Sequence, residues 1–92
     1  SSFQKYSDAF AFNYASTKNL PIHFISLNNP KAMSEIENVP LNCIIYIIDY
    51  QTIKKNDKKA FCDLIKDKQV IVTGTDKIED VDHKVINIKS EN

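Results

Sequence analysis

Three side chains of complementary chemistry stand where apolar runs give way to polar sequence. Asp49 follows the run Ile44-Ile-Tyr-Ile-Ile48, Thr73 follows Val70-Ile-Val72, and Lys89 follows Val85-Ile-Asn-Ile88. A carboxylate, a hydroxyl and an ammonium on one edge make a set able to handle a phosphoryl group. Asp serves as nucleophile, Thr as hydrogen-bond donor and Lys as charge partner. Asp49 also has an ordinary role open to it, the N-cap or turn between a strand and a helix, which Thr52 can share. Thr73-Gly74-Thr75 reads equally as a plain turn. Other groupings are poorer. Asp80, Asp82 and His83 are close in sequence, but no second ligand cluster joins them, and they read as a solvated acidic loop rather than a metal centre. His23 alternates with apolar neighbours and reads as a packed or surface histidine. Cys43 and Cys62 lack metal or redox spacing and read as two reduced core thiols. No Ser-His-Asp order, Cys-His pair with a supporting acid, or pair of carboxylates marks a catalytic centre.

The elements that must position Asp49, Thr73 and Lys89 follow from periodicity. Phe3, Tyr6, Phe10 and Tyr14 recur at steps of three and four, which predicts a helix over 3–18, stopped by Asn19 and Pro21. Residues 22–27 predict a strand. Asn28-Asn29-Pro30 predicts a turn into a short helix, with Asn29 as N-cap and Pro30 at its first position. Residues 43–48 lack alternation, the pattern of a central parallel strand covered on both faces. A helix over 52–67, a strand over 70–72, at most two helical turns over 76–82 and a strand over 84–89 complete the chain. This alternation predicts an α/β domain with a four-stranded parallel sheet and right-handed crossovers. The connecting helices fall on one face. The N-terminal helix alone covers the other, with its aromatic stripe as core. In such a sheet the carboxyl ends of the strands form the ligand-facing edge, where Asp49, Thr73 and Lys89 all lie.

Composition removes several functions. With one glycine, Gly74, among 92 residues the chain cannot build a multi-glycine phosphate loop. Twelve cations, all Lys, balance twelve Asp and Glu, so there is neither basic excess nor a guanidinium fork for reading nucleic acid. The longest apolar run is a strand's length, which predicts no membrane span, and no leader segment opens the chain. A hydrophobic content of 42% against 26% charged residues suits a packed domain rather than a disordered one. The charges are separated along the chain: residues 54–68 carry six Lys and three Asp, and residues 76–82 carry four acids and one Lys. Separated signs favour a docking surface. The Ser-Ser start without Met reads as a single domain, 1–92, excised from a longer protein.

With these residues in place, the chain resembles the receiver domains of bacterial response regulators and hybrid sensor kinases. The likeness covers residues 3–90. It rests on the apolar central strand ending in Asp49, the strand Val70-Ile-Val-Thr73, and the last strand Val85-Ile-Asn-Ile-Lys89. The resemblance implies a flavodoxin-like layered sandwich. It makes Asp49 the phospho-acceptor position, Thr73 the switch position and Lys89 the phosphate contact. Receivers also open with a strand ending in two acids that hold Mg²⁺. This sequence opens with what looks like their first helix, and Asp8, its only acid before Glu35, sits inside that helix. A hard cation needs several oxygen ligands, which Asp49 alone does not supply. The segment from Thr73 to Lys89 is also short for the family's helix there.

The expectation is therefore a non-catalytic, degenerate receiver-like domain without metal or cofactor, acting in the cytoplasm through protein–protein contact. Its partner is a neighbouring domain, another protein or a second copy of itself, with no direct nucleic-acid or membrane contact. Two alternatives stand beside it: a phosphorylatable receiver using Asp49, and a small α/β adaptor or structural subunit of an unrelated assembly.

Overall fold

Three short runs rich in β-branched residues form the sheet: β1 (Ile22–Ser26), β2 (Ile44–Ile48) and β3 (Gln69–Val72). They pair in chain order and all parallel, with Ile22 opposite Ile44, Ser26 opposite Ile48, and Ile47 opposite Val72. The structure is a computed structural model describing residues 2–74 together with Ile78 and His83. The expected strand over 84–89 and its Lys89 lie outside the described residues, as do Asp80 and Asp82 and nearly all of the expected turns over 76–82. In β2, Ile44, Ile45, Tyr46 and Ile47 are all buried, because helices lie against both faces of the sheet.

Helices α2 (Ala32–Asn38) and α3 (Lys58–Ile65) lie on one face. There Ile25, Ile45 and Ile47 meet Ile36 of α2 and Phe61 and Ile65 of α3 in one apolar cluster. Asn29 shapes the entry to α2, although not as its N-cap. Its Oδ1 accepts the Lys31 N–H at 2.9 Å and its carbonyl accepts the Ala32 N–H at 3.0 Å, so the helix begins at Ala32. The helix ends at Val39, extended and buried, because the residue before Pro40 is barred from helical geometry.

The helix expected over 52–67 is shorter than its pattern. Two single 3₁₀ turns, Tyr50–Thr52 and Lys55–Asp57, precede α3, and the extended Ile53 and Lys54 separate them. Ile53 nevertheless reaches the core from the extended link between the turns, which is why its spacing to Phe61 imitates a continuous helix.

Helix α1 (Ser2–Lys18) lies on the opposite face. Tyr46 points toward it, whereas its strand neighbours Ile45 and Ile47 point toward α2 and α3. Among the described side chains of α1 the aromatic stripe is not the core. Ser7, Ala11 and Ala15, spaced four apart, are buried, while Tyr6, Phe12 and Tyr14 are exposed and Phe10 is half-buried. Small side chains let the helix axis approach the sheet, and these aromatic rings are displaced to its flank. Phe10 stacks on Tyr14 there with centroids 6.2 Å apart, and Lys18 lies over the Tyr14 ring. The stop signal works as expected. Asn19 takes a left-handed conformation (φ 56°), the Leu20 N–H bonds the Ala15 carbonyl and the Asn19 N–H that of Ser16, the paired closure of a helix C-terminus. Among the described residues no helix is long and apolar enough to cross a membrane.

Candidate functional site

Asp49 leaves β2 in a left-handed conformation, φ 65° and ψ 38°, which Asp tolerates better than branched residues do. The reversal turns the chain into the Tyr50–Thr52 turn, where the Asp49 carbonyl accepts the Thr52 N–H at 2.9 Å and the Thr52 hydroxyl at 2.7 Å. The Asp49 side chain makes no capping bond to that turn. It reaches sideways to the end of β1 instead. Its Oδ2 accepts the Ser26 hydroxyl and the Asn28 side-chain amide, each at 3.0 Å, and the Asn28 backbone N–H donates to Ser26 Oγ at 3.2 Å. Ser26, Asn28 and Asp49 thus form a closed ring of hydrogen bonds joining the ends of two adjacent strands. The cause lies in the register. Because Ser26 is opposite Ile48, the residues just past it lie beside those just past Ile48.

On the other side, β3 delivers Thr73 to the same edge through its backbone. The Thr73 N–H donates to the Ile47 carbonyl at 2.8 Å and its carbonyl accepts the Tyr50 N–H at 3.1 Å. Asp49 and Thr73 are therefore neighbours across β2 and β3, as the sequence predicts. Gly74 follows, and a Cβ there would sit 3.0 Å from Tyr50 Cβ and from Gln51 Oε1. The bend has room only for glycine unless the turn shifts. Between the β1–α2 loop and the segment after β2, beside the Asp49 ring, lies a cleft of about 400 Å³ with Leu27, Met33 and Ile53 as its apolar floor and Asn28, Thr52 and Lys54 on its rim.

Ser26 is the partner that sequence reading misses, since one serine in a strand carries no motif. The available signal was its place two residues before Asn28, at the end of the strand flanking Asp49. A second polar cluster was also missed. The buried Tyr46 hydroxyl donates to Asp8 Oδ1 at 2.7 Å, lies 2.7 Å from Ser7 Oγ and accepts the Gln4 side-chain amide at 3.2 Å. Gln4 also donates to Asp8 Oδ1 at 2.7 Å. Burial raises the Tyr46 phenol above its ordinary value of 10.0, and the bond to Asp8 adds to the effect. This cluster positions α1 on the sheet.

The remaining candidates are dispersed. Cys62 is buried and Cys43 half-buried, and the two are not joined in a disulfide, while His23 and His83 are exposed. Among the described residues no three His, Cys, Asp or Glu side chains gather as a metal centre would require. In comparisons with known proteins, no family model, no curated protein and no solved structure matches the chain.

Proposed function

We propose that this chain is a non-catalytic, receiver-like α/β module that acts by protein–protein contact in a bacterial signalling or transcription-regulatory protein of the cytoplasm. The layering supports the likeness, with α1 on one face, α2 and α3 on the other, and Asp49 beside Thr73 at the carboxyl edge. One observation carries the non-catalytic reading. The strand beside β2 ends in two hydrogen-bond donors, Ser26 and Asn28, both directed at the Asp49 carboxylate.

In a flavodoxin-like sheet the first strand lies between the second and the third. With α1 standing for the first helix, β1 and β2 correspond to those outer two. Here they pair directly with each other, from Ile22 opposite Ile44 to Ser26 opposite Ile48. The position from which a receiver directs its acidic pair at the phospho-acceptor is thus taken by a hydroxyl and a carboxamide. Donors at that position hold Asp49 as a structural acceptor and give a divalent cation no second carboxylate. The lysine-rich segment 54–68 supplies a surface for an acidic partner.

The reading is tested by incubating the chain with acetyl phosphate and Mg²⁺ and measuring its intact mass. No phosphoryl adduct is expected on the wild type, as on Asp49→Asn. An adduct on the wild type that Asp49→Asn abolishes overturns the proposal and makes the chain a working receiver.

A further inference from the structure

The free edge of the sheet has the features of a self-pairing strand. Among the described residues β1 is an end strand, and its register fixes which of its backbone groups they leave unused. Ile44 N–H donates to the Pro21 carbonyl at 2.8 Å and Leu27 N–H to the Ile48 carbonyl at 3.0 Å. Odd-numbered residues of β1 therefore bond β2, and the backbone groups of Ile22, Phe24 and Ser26 point away from it. The Ser26 carbonyl is used by the Asn29 N–H at 3.1 Å, and its N–H remains available with both groups of Ile22 and Phe24.

End strands are normally blunted by charge, proline or a bulge. Within β1, Ile-His-Phe-Ile-Ser, there is no Lys, Asp, Glu or Pro, and its pairing with β2 runs unbroken. Phe24 is 54% exposed, and its ring meets that of Tyr46 in a T-shaped arrangement with centroids 5.6 Å apart. An unpaired strand edge with an uncovered aromatic at its middle calls for another strand.

From this edge we infer that β1 pairs antiparallel with β1 of a second copy, joining two sheets across a two-fold axis at Phe24. The strand is complementary to itself about that residue. Phe24 N–H and C=O meet the second copy's Phe24 C=O and N–H, and Ser26 N–H faces the second copy's Ile22 C=O. The two Phe24 rings fall on the same face and cover each other. The absence of Lys, Asp and Glu from β1 removes the repulsion that their fixed charges would bring to a self-paired strand. The pairing is short, so the dimer is weak and reversible. It depends on the edge alone, apart from the function of Asp49.

Sedimentation velocity on the full chain, from micromolar to millimolar concentration, together with amide hydrogen exchange, tests this. A concentration-dependent dimer is expected. The amides of Phe24 and Ser26 gain protection as it forms, while those of His23 and Ile25, already bonded to β2, do not change. Phe24→Lys weakens the dimer about tenfold or more by setting like charges together at the axis. Phe24→Thr, which keeps strand propensity, weakens it in the same direction should the lysine variant fail to fold. A monomer at every concentration overturns the inference and leaves the edge to a strand from another protein. A dimer that leaves the Phe24 amide unprotected, or that Phe24→Thr does not weaken, overturns it as well.

Discussion

The two faces of the sheet bury the same central strand by different means. Toward α2 and α3, β2 presents Ile45 and Ile47 to a cluster of branched aliphatics around Phe61, which is fully buried. Toward α1, it presents Ile44 and Tyr46 to Ser7, Ala11 and Ala15, and hydrogen bonds at the Tyr46 hydroxyl fix where the helix sits. The first face derives its stability from interlocking volume, which tolerates exchange among residues of similar size. The second uses close approach and a polar network, which specify one position and leave large rings outside. An aromatic stripe at helical spacing is therefore no proof of a core. In α1 the small residues mark the buried side.

Breaking the aliphatic face has the largest effect. Phe61→Ala removes a ring at the centre of the cluster and costs about 3–5 kcal/mol, read as a lower denaturant midpoint with an unchanged slope. Breaking the polar face costs less. Tyr46→Phe leaves Asp8, Ser7 and Gln4 without their shared partner inside a packed site, about 1–3 kcal/mol, and amides of α1 exchange faster than those of α3. This face also carries a pH signature. The Tyr46 phenol is held above 10.0 by burial. As pH rises past that value the unfolded chain releases the proton first, so stability falls in alkali until the folded phenol ionises too. In Tyr46→Phe that part of the alkaline loss is absent. The smallest effect belongs to the exposed rings. Phe12, 58% exposed, changes stability by no more than about 0.5 kcal/mol on mutation to Ala, whereas a cost of several kcal/mol would place it in a core.

The same contrast explains what the sequence made legible. Three of the four expected parallel strands, the Asn19 stop and the helix end before Pro40 follow from local signals that the fold does not oppose. The buried side of α1 was misread because hydrophobicity ranks rings above Ala and Ser, while the sheet selects for how closely a helix can approach. The pattern places the start of α3 too early because Ile53 reaches the core from an extended link at a spacing that suits a helix. At the candidate site, the placement of Asp49 and Thr73 at one edge was legible from strand ends. The partners of Asp49 were not, since Ser26 meets it across strands 23 residues apart in sequence, and such pairings depend on register rather than on any local pattern. The left-handed backbone of Asp49 likewise has no signature in the residues around it.

Under the proposed function, Asp49 ties two strand ends together and does not accept a phosphoryl group. The most direct measurement is a ¹H–¹⁵N NMR titration of the whole chain with Mg²⁺ and beryllofluoride, a phosphoryl mimic for aspartate. The resonances of Ser26, Asn28, Asp49 and Thr73 are expected to stay in place throughout. Saturable shifts centred on Asp49 and reaching Thr73 would contradict the claim and identify a working acceptor.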